Sequence, residues 1–205
     1  MRSELADFDR SFLKEGFICG IDEAGRGCLA GPVVAAAVVF RAESIPGEIE
    51  VRDSKDLTPK QREELFVRIK EAAVCWAVGA ANWRRIDEEN IVKATAFAME
   101  LAYKKLSVKP DLVLIDGRMR PSGIDSECLC VVKGDSKSFC IAAASIVAKV
   151  TRDRIMAKYH EIFPAYGFAS NKGYPTVAHR RALMEKGPCP IHRKSFKYTL
   201  LQTEE

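Results

Sequence analysis

The stretch "FICGIDEAGRGCLAGPVVAAAVVF", residues 17–40, decides the architecture. It opens on an apolar run, "FICGID", and closes on a second, "PVVAAAVVF", that is rich in β-branched residues. Both read as buried strands, and the glycine-bearing turn between them as the bend of a hairpin. At the turn stand two adjacent acids, Asp22 and Glu23, followed at once by glycines. "GRGCLA" also fits the G-x-G-x-x-G/A spacing of a dinucleotide-binding loop, but that loop needs a helix immediately after it to receive the pyrophosphate. Pro32 and "VVAAAVV" continue as a strand instead, and two carboxylates would repel a pyrophosphate. There is no Walker A sequence. The remaining chemistry is that of oxygen ligands for Mg²⁺ or Mn²⁺ at a strand end, beside a glycine turn that lets a substrate backbone approach closely.

Outward from the hairpin, a polar loop through "RDSKDL" leads to a helix starting at Thr58, with Pro59 in its first position and Gln61 completing a capping box. "VCWAVGAAN" reads as a third strand, "NIVKATAFAMELAYKKL" as a helix apolar on one face, and "DLVLIDG" as a short buried strand ending in an acid-glycine turn. Next come the strand "CLCVV", the turn "KGDSKS", the long helix "FCIAAASIVAKVTRDRIMAKYHEIF", the loop "PAYGFASNKGYP", a helix from Thr176 to about Lys186, and a basic tail. Early strands that follow one another and later strands separated by a helix predict an α/β domain with a mixed sheet. Ligands in such sheets gather at the carboxyl ends of the strands.

Two further acids fall at such ends: Asp116 in "LVLID" and Asp135 in "KGDSKS". Taken singly each has a bland reading, a turn pair for Asp116, a helix cap for Asp135, a solvated strand end for Asp22 and Glu23. Together, four acids at three strand ends crowd negative charge on one sheet edge, which is unfavourable unless cations neutralise it. Two divalent ions held by such a set can drive displacement at a phosphodiester.

At 205 residues, with 47% hydrophobic and 29% charged residues, the chain can bury a sizeable core unaided. The N-terminus is charged throughout and is not read as a secretory signal, and no segment reaches the run of apolar residues that a membrane helix needs. The expectation is a cytoplasmic, monomeric protein with no membrane partner. The seven cysteines sit mostly in apolar runs and read as free thiols; a zinc site drawn from Cys128, Cys130, Cys189 and His192 has none of the usual spacings, and the "CLC" pair reads as two core residues on one face of a strand. Net charge is only +4, yet residues 141–200 hold 11 Lys/Arg against three acids, a balance that suits a polyanion such as nucleic acid as well as a solvated helix surface.

The motifs "DEAGRG", "AGPVVAAAV", "DSKDLT", "VLIDG", "KGDSKSFCIAAASIVAKVTRD", "NKGYPT" and "GPCPIHRKSF", in this order, resemble bacterial ribonuclease HII, the type 2 ribonucleases H, over most of the chain. The resemblance implies a ribonuclease H-like fold, a mixed five-stranded sheet flanked by helices, in a single domain over residues 1–205 with a C-terminal helical extension from about 150. It implies metal-dependent cleavage of the RNA strand of RNA/DNA hybrids. It further implies nicking 5′ of a single ribonucleotide in duplex DNA, leaving a 3′-hydroxyl and a 5′-phosphate, for ribonucleotide removal in replication and repair.

Residue by residue, Asp22, Glu23, Asp116 and Asp135 match the family's metal-binding acids. Gly25, Arg26 and Gly27 match the loop that reads the ribose 2′-hydroxyl, and Tyr174 the tyrosine that packs on the deoxyribose after it. Lys55 and Lys172 are expected to contact phosphate, and replication or repair proteins to be candidate recruiters. The sequence departs from the family at Cys28, where many members have proline, and at Asn171, where many have histidine. Two rival readings remain: a non-catalytic nucleic-acid binder, which would need neither acids nor metal, and a metal-dependent phosphoesterase of the same fold without ribonucleotide specificity.

Overall fold

A computed structural model describes residues 4–49, 51 and 57–197. In chain order the elements are α1 (Glu4–Phe12), β1 (Phe17–Ala24), β2 (Val33–Arg41), α2 (Pro59–Ala72), β3 (Cys75–Ala81), α3 (Trp83–Glu89), α4 (Ile91–Lys104), β4 (Leu112–Asp116), β5 (Glu127–Val131), α5 (Phe139–Ile162), α6 (Phe168–Asn171) and α7 (Val177–Lys186). The five strands form one sheet in the order β3-β2-β1-β4-β5. β1 pairs antiparallel with β2 in the expected hairpin and parallel with β4, and β4 pairs parallel with β5. The mixed sheet follows from the connections: a short turn joins β1 to β2, whereas β4 reaches β1 only after α2, β3, α3 and α4.

Alternation along the strands sorts side chains between two cores. Ile18, Val38, Phe40 and Leu114 face α5, with Phe66 and Ile69 of α2 and Ala6 of α1 completing that layer. Cys19, Ile21, Val39 and Val113 face α4, against Ala94, Ala98, Met99 and Ala102. β1 is buried on both faces, which is why "FICGID" is apolar without alternation. Gly20 sets the depth of α5: a Cβ there would lie 2.0 Å from the Cys140 carbonyl oxygen, so the helix start can press on the sheet only where no side chain intervenes.

The capping box expected at Thr58 and Gln61 forms, with both reciprocal bonds made. Ser138 rather than Asp135 caps α5, its hydroxyl accepting from the Ile141 amide at 3.1 Å. A second acceptor at that helix start comes from α1: the fully buried Asp9 carboxylate takes the Cys140 amide at 2.8 Å. Neither α1 nor α3 is among the elements expected from the sequence, although Leu5, Phe8 and Phe12 of α1 stand at helical spacing. β5 is an edge strand, and Cys128 and Cys130 on it are half-buried rather than core residues. All seven cysteines are free, and among the described residues no set of His, Cys, Asp and Glu resembles a zinc site.

α5 runs unbroken off the sheet into the C-terminal extension, so the extension has no sharp start at residue 150. There Met156, Tyr166, Phe168, Ala182, Leu183 and Ile191 form a third core with Leu29 and Ala30 of the hairpin turn. The turn is stitched to this extension by the Leu29 amide on the Gly173 carbonyl (2.8 Å), the Gly31 amide on that of Ile191 (2.9 Å) and the Arg193 amide on that of Leu29 (2.9 Å). No helix among the described residues is long and apolar enough to cross a membrane.

Candidate active site

Three neighbouring parallel strands, β1, β4 and β5, deliver acids from their carboxyl ends to one place. Asp22 and Asp116 lie on the α5 side by strand alternation, and Glu23 on the other parity. Asp135 sits in a 3₁₀ turn, Gly134–Ser136, just past β5. That turn is fixed to β4 by the Gly134 amide, which donates to Asp116 Oδ1 at 2.7 Å. Asp22, Glu23, Asp116 and Asp135, with Gly25, Arg26, Gly27 and Tyr174, line one cleft of about 220 Å³. Ser145 and Lys149 of α5 complete its wall.

Asp22 is 6% exposed, and its carboxyl is pushed well above the usual carboxylate range. Burial is the main cause, followed by the charges of Glu23 and Asp116; hydrogen bonds from the Glu23 amide and the Ser145 hydroxyl pull the other way without cancelling it. The donor set of the cleft, carboxylate oxygens on rigid strand ends, is one that a hard divalent cation takes. Among the described residues no three such side chains already converge on a point where an ion could sit.

The glycine loop is built differently. Gly25 has φ +95°, a left-handed conformation that favours glycine, and a Cβ on it would lie 1.9 Å from Arg152 Nε. The exposed Arg26 side chain reaches back to Glu23 at 3.3 Å. Behind the loop, two fully buried arginines bind its carbonyls. Arg193 donates to Gly25 (2.7 Å), Arg26 (2.8 Å) and Gly31 (3.0 Å), and Arg152 to Ala30 (3.1 Å) and Pro32 (2.9 Å). Burial lowers the Arg193 guanidinium only to about 10, so it stays charged at neutral pH.

Tyr174 is half-buried at the cleft wall, with Lys149 Nζ 5.3 Å and Arg152 Cζ 5.7 Å from its ring centre. Asn171 shapes its loop: Nδ2 donates to the Tyr166 carbonyl at 2.6 Å and Oδ1 accepts the Gly173 amide at 2.8 Å. The position thus acts through hydrogen bonding and needs no titrating ring. Cys28 is fully buried behind the loop, its thiol 3.7 Å from the Lys172 carbonyl.

His179 and His192 are buried too, with their Nε2 atoms 3.0 Å apart; His179 Nδ1 meets the Tyr174 carbonyl at 2.8 Å, and His192 Nδ1 accepts the Cys189 amide at 2.9 Å. These contacts suit two neutral rings, and burial, with the neighbouring His179, lowers His192 to about 4. His192 is structural and, at 2% exposed, unavailable to phosphate.

Lys172 does not join the acid cleft. Its side chain borders an adjoining groove of about 620 Å³ that shares Lys149 and Tyr174 with the cleft, while its carbonyl accepts from Arg152 Nη1 at 2.8 Å. Lys55 lies outside the described residues. Ser145, Lys149, Arg152 and Arg193 lie within two of the motifs that carry the resemblance but are given no role by it. The first three had a signal in the sequence: polar residues four and three apart that interrupt an otherwise apolar helix on one face.

Comparison with known proteins bears on the same residues. The family model described as ribonuclease HII matches residues 19–199. The chain is 50% identical over 199 residues to the ribonuclease HII of Endomicrobium trichonymphae, covering 96% of this chain and 93% of that protein. Among solved structures, the ribonuclease H2 of Pyrococcus horikoshii superposes with a TM-score of 0.77 at 30% identity, over 89% of this chain and 94% of that one. The ribonuclease HII of Archaeoglobus fulgidus, solved in complex with PCNA, superposes with a TM-score of 0.73 at 29% identity, over 88% and 95% of the two chains. The chain belongs to the ribonuclease HII family and is a ribonuclease H, an enzyme acting on RNA/DNA hybrids.

Proposed function

We propose that the acid cleft also nicks duplex DNA on the 5′ side of a single embedded ribonucleotide, leaving a 3′-hydroxyl and a 5′-phosphate. Asp22, Glu23, Asp116 and Asp135 are the residues that would hold two divalent ions, Mg²⁺ or Mn²⁺. The observation that carries this reading is the Asp22 carboxyl, buried and raised by Glu23 and Asp116 directly beside the glycine loop. The family is divalent-metal dependent. When bound, the ions would supply activation of the attacking water and neutralisation of the charge that grows on the phosphate and the leaving oxygen.

The chain's own residues then supply selection. Gly25, Arg26 and Gly27 bring backbone groups within reach of the 2′-hydroxyl, the one atom that separates RNA from DNA at that sugar. The Tyr174 ring offers a flat apolar face to the sugar that follows. Lys149 stands where a phosphate beside Tyr174 would pass, and Lys172, with Lys55, is assigned to the backbone further along the adjoining groove. The reading treats the protein as a single-domain monomer, at work in ribonucleotide removal during replication and repair. The PCNA complex of the archaeal relative supports recruitment by a replication partner.

The test is an end-labelled DNA duplex carrying one ribonucleotide, beside an all-DNA control, in Mg²⁺, in Mn²⁺ and with chelator. A cut confined to the 5′ side of the ribonucleotide, dependent on metal and lost in Asp22→Asn, is the expected result. Binding without cutting in every condition would overturn the assignment of the four acids, and equal cutting of the control that of the glycine loop.

A further inference from the structure

We infer that Arg193 is the residue that sets ribonucleotide selectivity, by orienting the peptide groups of the glycine loop. This rests on the loop's proposed role in reading the 2′-hydroxyl and names what holds it in the reading position. In a trans peptide the carbonyl and the following N–H point in opposite directions. Arg193 binds the carbonyls of Gly25 and Arg26 from the buried side, at 2.7 and 2.8 Å. The N–H groups of Arg26 and Gly27 are therefore turned away from the guanidinium, out of the protein side of the loop. Among the described residues neither amide donates to a protein acceptor, and both residues line the acid cleft. A pair of unspent, parallel donors beside four acids fits an oxygen acceptor on the substrate such as a sugar hydroxyl.

Only a guanidinium suits this task. Its planar fork can donate in several fixed directions at once, whereas an ammonium on a flexible stem is a point charge. Arg193 uses Nη1, Nη2 and Nε on three different carbonyls, all from the loop and its far end at Gly31. A fully buried cation bound to neutral carbonyls is costly to keep unless its donors are satisfied, so the loop and the arginine fix one another. Arg152 performs the matching service on the far side: it joins Pro32 and Ala30 to the Lys172 carbonyl, two residues before Tyr174. The amides and the tyrosine ring are thus held at a constant separation, a fixed gauge for one sugar and its neighbour. Arg193 touches no reacting atom and acts through the loop, as a positioning residue.

The experiment compares wild type, Arg193→Lys and Arg193→Ala on the single-ribonucleotide duplex and the all-DNA control, with the melting midpoint of each recorded. Misplaced amides are expected to lower kcat by about tenfold or more while KM stays within about twofold, since the loss falls on alignment in the transition state. Added guanidinium ion is expected to restore kcat in Arg193→Ala, and methylammonium not to. The Arg26 and Gly27 amide resonances of Arg193→Lys should shift and broaden, a change that a globally loosened but correctly oriented loop would not confine to those two. An Arg193→Lys enzyme that melts like wild type and keeps its kcat and ribonucleotide preference overturns the inference while leaving the loop's role intact. A wild type that cuts the all-DNA control equally well takes down both.

Discussion

The acid cleft and the clasp behind the glycine loop lie back to back and are built on opposite terms. In the cleft, like charges are gathered on strand ends, one carboxyl is driven far from its ordinary value, and no described group of three side chains is ready to hold an ion. In the clasp, two buried guanidiniums and two neutral imidazoles have partners at hydrogen-bonding distance. On the proposed reading the contrast assigns tasks: the side that would recognise the sugar is held by protein hydrogen bonds, and the side that would do the chemistry offers the oxygen ligands that divalent ions take.

The contrast breaks most visibly at Asp22. Asp22→Asn should reduce cleavage by on the order of 10³-fold while leaving the melting midpoint equal to or above wild type, because it removes a buried charge that the fold opposes. A fall in both activity and midpoint would mean that the cleft is as structural as the clasp.

The clasp side is tested by acid. His192 titrates at about 4 instead of 6.5, so between those values the unfolded chain binds a proton that the folded one refuses. Its contribution to stability is therefore complete above pH 6.5 and falls by up to about 3 kcal/mol as the pH drops to 4. Asp9, raised to about 6 by burial, works in the opposite sense: its contribution is present below its unfolded value and is lost as the pH rises through 6. The histidine slope is accordingly read as the difference in denaturant midpoint between wild type and His192→Gln across that range. An identical pH profile in the two proteins would remove the neutral pair from the clasp.

A smaller effect sharpens the cation side. Mg²⁺ at about 100 times its dissociation constant should stabilise the wild type by about 2.7 kcal/mol and Asp22→Asn by clearly less, read as a thermal shift. Equal shifts would place the ion elsewhere. Smallest of all is Arg26→Ala. Its half-exposed side chain makes one surface ion pair with Glu23, worth less than about 1 kcal/mol, and the loop's peptide groups survive the change. Ribonucleotide preference should persist within about threefold, in contrast to Arg193→Lys. Loss of preference would move the reading of the sugar from backbone to side chain.

Much of this was legible in the sequence, for identifiable reasons. The hairpin announces itself because β1 and β2 are buried on both sides and adjacent in the chain, and the four acids stand out because each follows an apolar run. α5 is legible from its length, and the cap at Thr58 from local chemistry. What stays hidden depends on distant partners. Asp9 reads as one more charge in a charged N-terminus until the Cys140 amide, 131 positions away, is found against it. The basic C-terminal third is a more subtle case: its charge surplus suggests a polyanion-binding surface, yet Arg152 and Arg193 are fully buried and spend their donors on carbonyls. Composition counts such cations but cannot tell which side of the surface they are on.

The bond between Arg193 and the Gly25 carbonyl spans 168 positions of the chain. Protein synthesis runs in one direction, so the loop is among the first functional pieces to leave the ribosome and among the last to be set. Every acid of the cleft is already made when Arg193 is added. The turn between the first two strands can therefore take its final shape only after every strand and helix of the described fold has been made.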